Sequence, residues 1–235
     1  MFRTLSQPEL LNLWEQCYAC SHVDRASMLA QLSEHLAKEE LFHLTIGERD
    51  QLLTKAYQAL FGSEIEVFSS CSACSCELEL LVDLNELLAV DYEVEPNSKI
   101  EMHGKQLQVQ PIRVSDLKQV KRIGYKNWID EKLTQGRIAS KLITQEDRNE
   151  YAARLSELDP QADICLEFEC VECQFSWIDP FDIASQLWFR FDATCKRLLA
   201  AVHSLASAYG WTETEVLAMS PWRREVYLNM VRTSQ

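Results

Sequence analysis

The chain has 235 residues, 47% of them hydrophobic and 25% charged, a globular composition long enough to enclose a sizeable core. Its 36 carboxylates outnumber 23 basic side chains, and the net charge of −13 repels phosphate backbones, so nucleic acid is not an expected partner. No secretory signal opens the chain and no run of about 18 apolar residues occurs, so a cytoplasmic protein without a membrane partner is expected.

In chain order, the first sixty residues read as helices. Ser6-Gln7-Pro8-Glu9 is a capping box with proline in the first turn, followed by Leu10, Trp14 and Cys17 on one face. Val23–Leu36 continues with Met28, Leu29, Leu32 and Leu36 at helical spacing. Thr45-Ile46-Gly47-Glu48 opens another helix, striped by Leu53, Ala56, Tyr57 and Leu60 and stopped by Gly62.

The period then changes from 3.6 to 2. Glu64–Phe68 leads into Cys71, and Cys76–Leu80 leads out of Cys74, predicting two strands around a tight cysteine turn. Asp83–Leu88 is expected to make a helical turn. Ile100–Met102 and Leu107–Val109 flank His103-Gly104 as a β-hairpin. From Ser115 to about Leu158 the chain reads as helical and polar, ended by Asp159-Pro160.

Alternation returns at Ile164, Leu166 and Phe168 before Cys170, and again at Phe175 and Trp177 after Cys173. The second cysteine turn thus repeats the layout of the first. Ile183, Leu187, Phe191, Leu198, Val202 and Leu205 predict a long helix ending at Gly210. Thr212-Glu213-Thr214-Glu215 caps a short helix, and Ser220-Pro221 opens a last one bearing Tyr227, Leu228 and Met230.

Nine cysteines in a reducing compartment point to metal ligation rather than disulfides. A Cys-x-x-Cys turn sets two sulfurs at the bite that a tetrahedral ion requires, and two such turns between short strands make a zinc ribbon. Cys71, Cys74, Cys170 and Cys173 are therefore expected to bind one structural zinc per chain, with residues 75–169 as an excursion from the ribbon and back. Glycine often follows the second cysteine of such turns, whereas Ser75 and Gln174 stand there. Cys17, Cys20 and Cys195 read as helical core. Cys76 and Cys165 read as packing residues that are also alternative ligands.

No catalytic residue is expected. The five histidines are scattered, no glycine-rich phosphate loop occurs, and four thiolates leave a zinc no open position for water or a small-molecule substrate. The closing segment carries the residue types of interface hot spots: Trp211, Trp222, Arg223, Arg224 and Tyr227, read equally as a protein-binding surface or as core.

The second cysteine turn continues through Trp177, Asp179-Pro180-Phe181-Asp182-Ile183-Ala184 and Leu187-Trp188 to Leu198-Leu199 and Val202-His203. Beyond lie Ala208-Tyr209-Gly210-Trp211, Glu215-Val216-Leu217-Ala218-Met219-Ser220 and Arg223-Arg224-x-x-Tyr227-Leu228. With Leu10-Leu11-x-Leu13-Trp14-Glu15 and Gly47-Glu48-Arg49-Asp50, this pattern resembles the baseplate proteins of phage-derived contractile injection systems, and in particular T-even phage baseplate hub assembly chaperones. The resemblance covers residues 5–83 and 162–232. It implies a non-enzymatic chaperone that binds a hub or spike subunit, and its cysteine turns match Cys71/Cys74 and Cys170/Cys173. A permanent structural baseplate subunit and a zinc-ribbon nucleic-acid or transcription module are the alternatives.

The expected fold is α+β, mostly helical, with a split four-cysteine ribbon of short antiparallel strands at 71–83 and 164–178 and an inserted α/β segment. The expected division is 1–89 for the first helices and knuckle, 90–160 for the insertion, and 161–235 for the second knuckle and closing helices.

Overall fold

Capping residues and hairpin turns set most of the element boundaries. A computed structural model of the chain describes residues 5–32, 37–89 and 98–233. The fold is α+β and mostly helical, with three two-stranded antiparallel sheets. Its helices are α1 (Gln7–Tyr18), α2 (His22–Ala30), α3 (Lys38–Leu41), α4 (Ile46–Phe61), α5 (Leu84–Ala89), α6 (Leu117–Ile123), α7 (Tyr125–Gln135), α8 (Gln145–Leu158), α9 (Ile183–Tyr209), α10 (Glu213–Leu217) and α11 (Pro221–Thr233). The strands are β1 (Glu64–Ser70), β2 (Glu77–Asp83), β3 (Ser98–Met102), β4 (Lys105–Val109), β5 (Cys165–Glu169) and β6 (Ser176–Pro180).

The three capping boxes form as the residue spacing predicts. Ser6 N–H donates to Glu9 at 2.9 Å, Thr45 N–H to Glu48 at 2.7 Å and Thr212 N–H to Glu215 at 2.8 Å. A fourth box, Thr144 with Asp147, opens α8. The α9 helix runs 27 residues and stops where Gly210 turns to φ +69°. One expectation is corrected. The helix expected over Val23–Leu36 ends at Ala30, because Gln31 and Leu32 tighten onto the carbonyls of Met28 and Leu29, three residues back; residues 33–36 lie outside the described range. The helical stretch expected from Ser115 to about Leu158 forms as three helices, α6, α7 and α8. Gly124 at φ +84° separates the first pair, and Gly136 with Arg137 at φ +68° ends α7.

The chain divides into two compact units, one spanning Ala26–Ala184 and one combining Arg3–Arg25 with Ser185–Gln235. Inside the first, residues 98–158 enclose a core of their own. Met102, Leu107 and Val109 of the β3–β4 hairpin pack with Trp128, Ile129 and Leu133 of α7 and Tyr151, Leu155 and Leu158 of α8. The hairpin turns on His103 (φ +51°) and Gly104 (φ +67°), the paired left-handed residues of a tight two-residue loop. Gly136 lies so close to Leu107 that an added Cβ meets the leucine Cδ2 at 2.5 Å. Arg148 of α8 grips Asp130 of α7 through two hydrogen bonds of 2.7 and 3.1 Å.

This segment is joined to α4 by backbone hydrogen bonds and one buried carboxylate. Ile46 N–H donates to Ile112 at 3.1 Å and Val114 N–H to Leu44 at 3.0 Å. Asp159, 2% exposed, accepts the Gly47 N–H at 2.9 Å, one of the free donors at the start of α4. Asp50 lies close by. Burial pushes its carboxyl up to about 6 despite an ion pair with Arg49 at 2.7 Å and with repulsion from Asp182 and Asp159 added.

Candidate metal centre

The alternating strands on either side of each Cys-x-x-Cys fold into hairpins. Glu64–Ser70 pairs with Glu77–Asp83 so that Ser70 faces Glu77, and Cys165–Glu169 pairs with Ser176–Pro180 so that Glu169 faces Ser176. Each hairpin thus closes on its own cysteine turn. The two turns are built alike to the atom. Cys71 N–H donates to Cys76 O at 2.9 Å and Ser75 N–H to Cys71 O at 2.8 Å. In the second, Cys170 N–H donates to Phe175 O at 2.9 Å and Gln174 N–H to Cys170 O at 2.8 Å. Ser75 (φ +60°) and Gln174 (φ +57°) take the left-handed conformation that glycine usually supplies. The missing glycines therefore leave the turn geometry unchanged and add backbone strain of about 1–2 kcal/mol per residue.

The four sulfurs of Cys71, Cys74, Cys170 and Cys173 all lie within 4.8 Å of one another. Cys71 Sγ is 3.6 Å from Cys173 Sγ, and Cys74 Sγ is 3.5 Å from Cys170 Sγ. A tetrahedral ion with thiolate bonds of about 2.3 Å separates its sulfurs by roughly 3.8 Å, close to these spacings, whereas a disulfide requires about 2.05 Å. Cys71 and Cys170 are buried and Cys74 and Cys173 exposed, so the first cysteine of each turn anchors the site and the second closes it. The arrangement is compatible with a metal site. It brings together all four residues that the motif spacing singles out.

The electrostatics suit a cation. Backbone N–H groups of Cys173 and then Glu172 point at Cys170 Sγ and hold its thiol down at about 6. The Cys76 N–H favours the Cys74 thiolate, yet hydrogen bonds shared with Cys170 and Cys173 push that thiol up to about 12. Four packed sulfurs cannot all be charged without a counter-ion, and a dication removes that restriction.

Behind the sulfurs, a polar clasp ties one hairpin to the other. Trp177 Nε1–H donates to Ser69 Oγ at 3.1 Å and to Asp179 Oδ2 at 3.0 Å, and Ser69 O–H donates to Asp179. Trp177 stacks on Phe168 with centroids 5.5 Å apart. No sequence motif singles out Ser69, although Ser69, Trp177 and Asp179 all fall on the alternation that points toward the paired hairpin.

The remaining cysteines lie outside the group of four. Cys165 sits at the far end of β5, five residues and roughly 16 Å along the strand from Cys170, beyond ligand reach. Cys76 adjoins the cluster and its thiol is raised by burial and by the Cys170 charge. Cys17 and Cys195 are fully buried, and burial pushes their thiols up to about 11 and about 12, which marks them as inert core. Cys20 is half-buried and donates to Gln16 O at 3.2 Å.

The five aromatic and arginine residues of the closing segment part company. Trp211 is half-buried, with its ring 4.5 Å from Tyr209 and 4.9 Å from Tyr227, so these three pack on each other. Trp222 is 78% exposed on α11, Arg223 is exposed, and half-buried Arg224 donates to Gln7 Oε1. Among the described residues no helix is long and apolar enough to cross a membrane. No protein family, curated protein or solved structure matches the chain.

Proposed function

We propose that the chain is a non-enzymatic, protein-binding assembly factor held together by one structural zinc, and that its client is a hub or spike subunit of a contractile-tail baseplate. Zinc suits the site because a closed set of four thiolates is its usual structural environment and it brings no redox chemistry. Cys71, Cys74, Cys170 and Cys173 would hold it, and the ion would fix the two hairpins against each other. With four protein ligands no position remains for a substrate, so the metal's role is architectural.

The observation that carries the binding reading is Trp222. Trp222 is 78% exposed, with Met230 half-exposed two turns further along the same helix, and tryptophan is among the residue types most enriched at interface hot spots. The resemblance of the closing helices to baseplate assembly proteins supplies the kind of client, and the acidic surface supports a protein partner over nucleic acid.

Two measurements test this reading. Metal analysis of protein purified without added metal is expected to give one zinc per chain; iron, or no metal, overturns the zinc assignment. Co-expression with the neighbouring baseplate genes is expected to co-purify the client with the wild type and to lose it with Trp222→Ala at unchanged melting temperature. Finding the chain in the finished particle would make it a permanent baseplate subunit instead.

A further inference from the structure

The unit formed by Arg3–Arg25 and Ser185–Gln235 has a second surface, on the face of α11 turned away from Trp222. There α1, α9 and α11 leave a groove of about 880 Å³. Its base is formed where α9 presents Ala200, Ser204 and Ala208, one turn apart, while Leu10 and Leu228 supply apolar walls. Small side chains let another backbone approach to the 8–10 Å at which helices pack. A helical turn, about 10–12 Å across and 5.4 Å high, displaces on the order of 500 Å³, so the groove seats one to two turns.

The rim is positive in a chain that is otherwise strongly negative. Arg197, Arg224, Arg232 and His203 line it, against the single carboxylate Glu225, which Arg232 engages at 3.2 Å. Arg197 donates to Thr194 Oγ1 at 3.1 Å and Arg224 to Gln7 Oε1, both neutral acceptors. Among the described residues neither guanidinium has a carboxylate at ion-pair distance. Arg224 is half-buried, and burial lowers its pKa while the neighbouring Glu225 charge raises it by less.

We infer that this groove docks an amphipathic helix of a partner protein, its apolar face on Ala200, Ser204 and Leu228 and its edge carboxylates on Arg197 and Arg224. A helix fits because the three walls are themselves helices and the small residues allow close packing; carboxylates fit because guanidinium forks hydrogen-bonded, among the described residues, only to the neutral Thr194 and Gln7 match them in two-pronged geometry. The inference rests on the protein-binding reading and adds a second contact, chemically distinct from the exposed face of Trp222.

The test uses the whole chain and two designed 20-residue helical peptides, identical in their leucine and alanine face and carrying either glutamate or lysine along the edges. Fluorescence anisotropy at moderate salt is expected to show the glutamate peptide binding at least tenfold more tightly than its lysine twin. Arg224→Gln is expected to weaken it tenfold, and Ser204→Trp, which fills the groove, to abolish it. Arg197→Gln serves as a second, exposed probe should Ser204→Trp fail to fold, judged by melting temperature and metal content. Equal binding of both peptides, no binding, or binding indifferent to Arg224→Gln and Arg197→Gln overturns the proposal. So does competition by a short DNA duplex with steep salt dependence, or concentration-dependent dimerisation that Ser204→Trp removes, since each names another occupant. Loss of peptide binding together with retained, Trp222-dependent client capture would sink the groove while leaving the assembly reading intact.

Discussion

The cysteine hairpins and the segment they bracket are neighbours in one unit held together by opposite means. Residues 98–158 bury ten side chains in a core of their own, including the fully enclosed Trp128 and Leu133. The knuckles bury less: Ile65, Val67, Val82 and Phe168 are enclosed, but Phe68 and Ile178 lie mostly exposed on their strands, and Cys71 and Cys170 are the enclosed residues of the turns. Apolar area holds the first region, while the second adds four clustered sulfurs and a three-residue polar clasp to a few buried apolar side chains. A two-stranded hairpin is marginal in water by itself, so the knuckles depend on the cluster in a way the inserted core does not.

That contrast breaks most readily at the four-cysteine cluster. Chelation, or Cys170→Ser, is expected to unlock both hairpins, because the binding free energy of a thiolate zinc site is roughly 10 kcal/mol or more and is also folding free energy. Hydrogen exchange measured by mass spectrometry should rise across residues 63–83 and 165–180 while amides of α7 and α8 stay protected. Uniform loss of protection along the chain would show that the insertion leans on the metal as well. Leu133→Ala supplies the reverse experiment. It is expected to cost about 2–5 kcal/mol through cavity formation and to leave metal content unchanged.

The seam between the insertion and α4 can be probed by pH. The Asp50 carboxyl is raised to about 6 by burial first, and Asp159 is raised for the same leading reason. A raised carboxyl stabilises the fold at pH below its unfolded value, near 3.9, and that contribution is lost as pH climbs through about 6. In urea titrations from pH 4.5 to 7.5, the wild type should lose stability relative to Asp50→Asn, by a few kcal/mol at most. A flat difference would remove Asp50 from the account.

Smaller changes sharpen the comparison further. Gly136→Ala forces the Leu107 side chain to move and is expected to cost about 1–3 kcal/mol, read in the thermal midpoint. Ser75→Gly and Gln174→Gly relieve left-handed strain in the two knuckles at once. The extra freedom glycine has in the unfolded chain offsets much of the gain, leaving about 0.5 kcal/mol of stabilisation each. If only one of the pair stabilises, the turns are less alike than their hydrogen bonds indicate.

What could be read from the residues follows the range over which each interaction acts. The ribbon strands and their cysteine turns were legible because alternation and Cys-x-x-Cys spacing are local, and the capping boxes because their partners lie three residues apart. The left-handed Ser75 and Gln174 were not, since neither residue type favours that conformation and the cysteine turn imposes it. The helical character of residues 115–158 was legible from composition, whereas the positions of the breaks follow from the backbone at Gly124 and at Gly136 with Arg137. Whether Trp222 faces solvent could not be told from its neighbours, because α11 is polar on much of its circumference. The groove was invisible for a simpler reason: Gln7, Arg197 and Arg224 meet only once three distant helices have packed.

The separation of the half-sites has a temporal side. Cys170 follows Cys74 by 96 positions, so a ribosome adding about 5–20 residues per second exposes the first pair of thiols some 5–20 s before the second. During that interval the emerging chain holds half of the cysteine cluster, and residues 98–158, which carry a core able to condense, are synthesised before its end. A metal ion bound by the four cysteines would then close the ring around that segment, which would make its capture a late, clock-like step in the birth of the molecule.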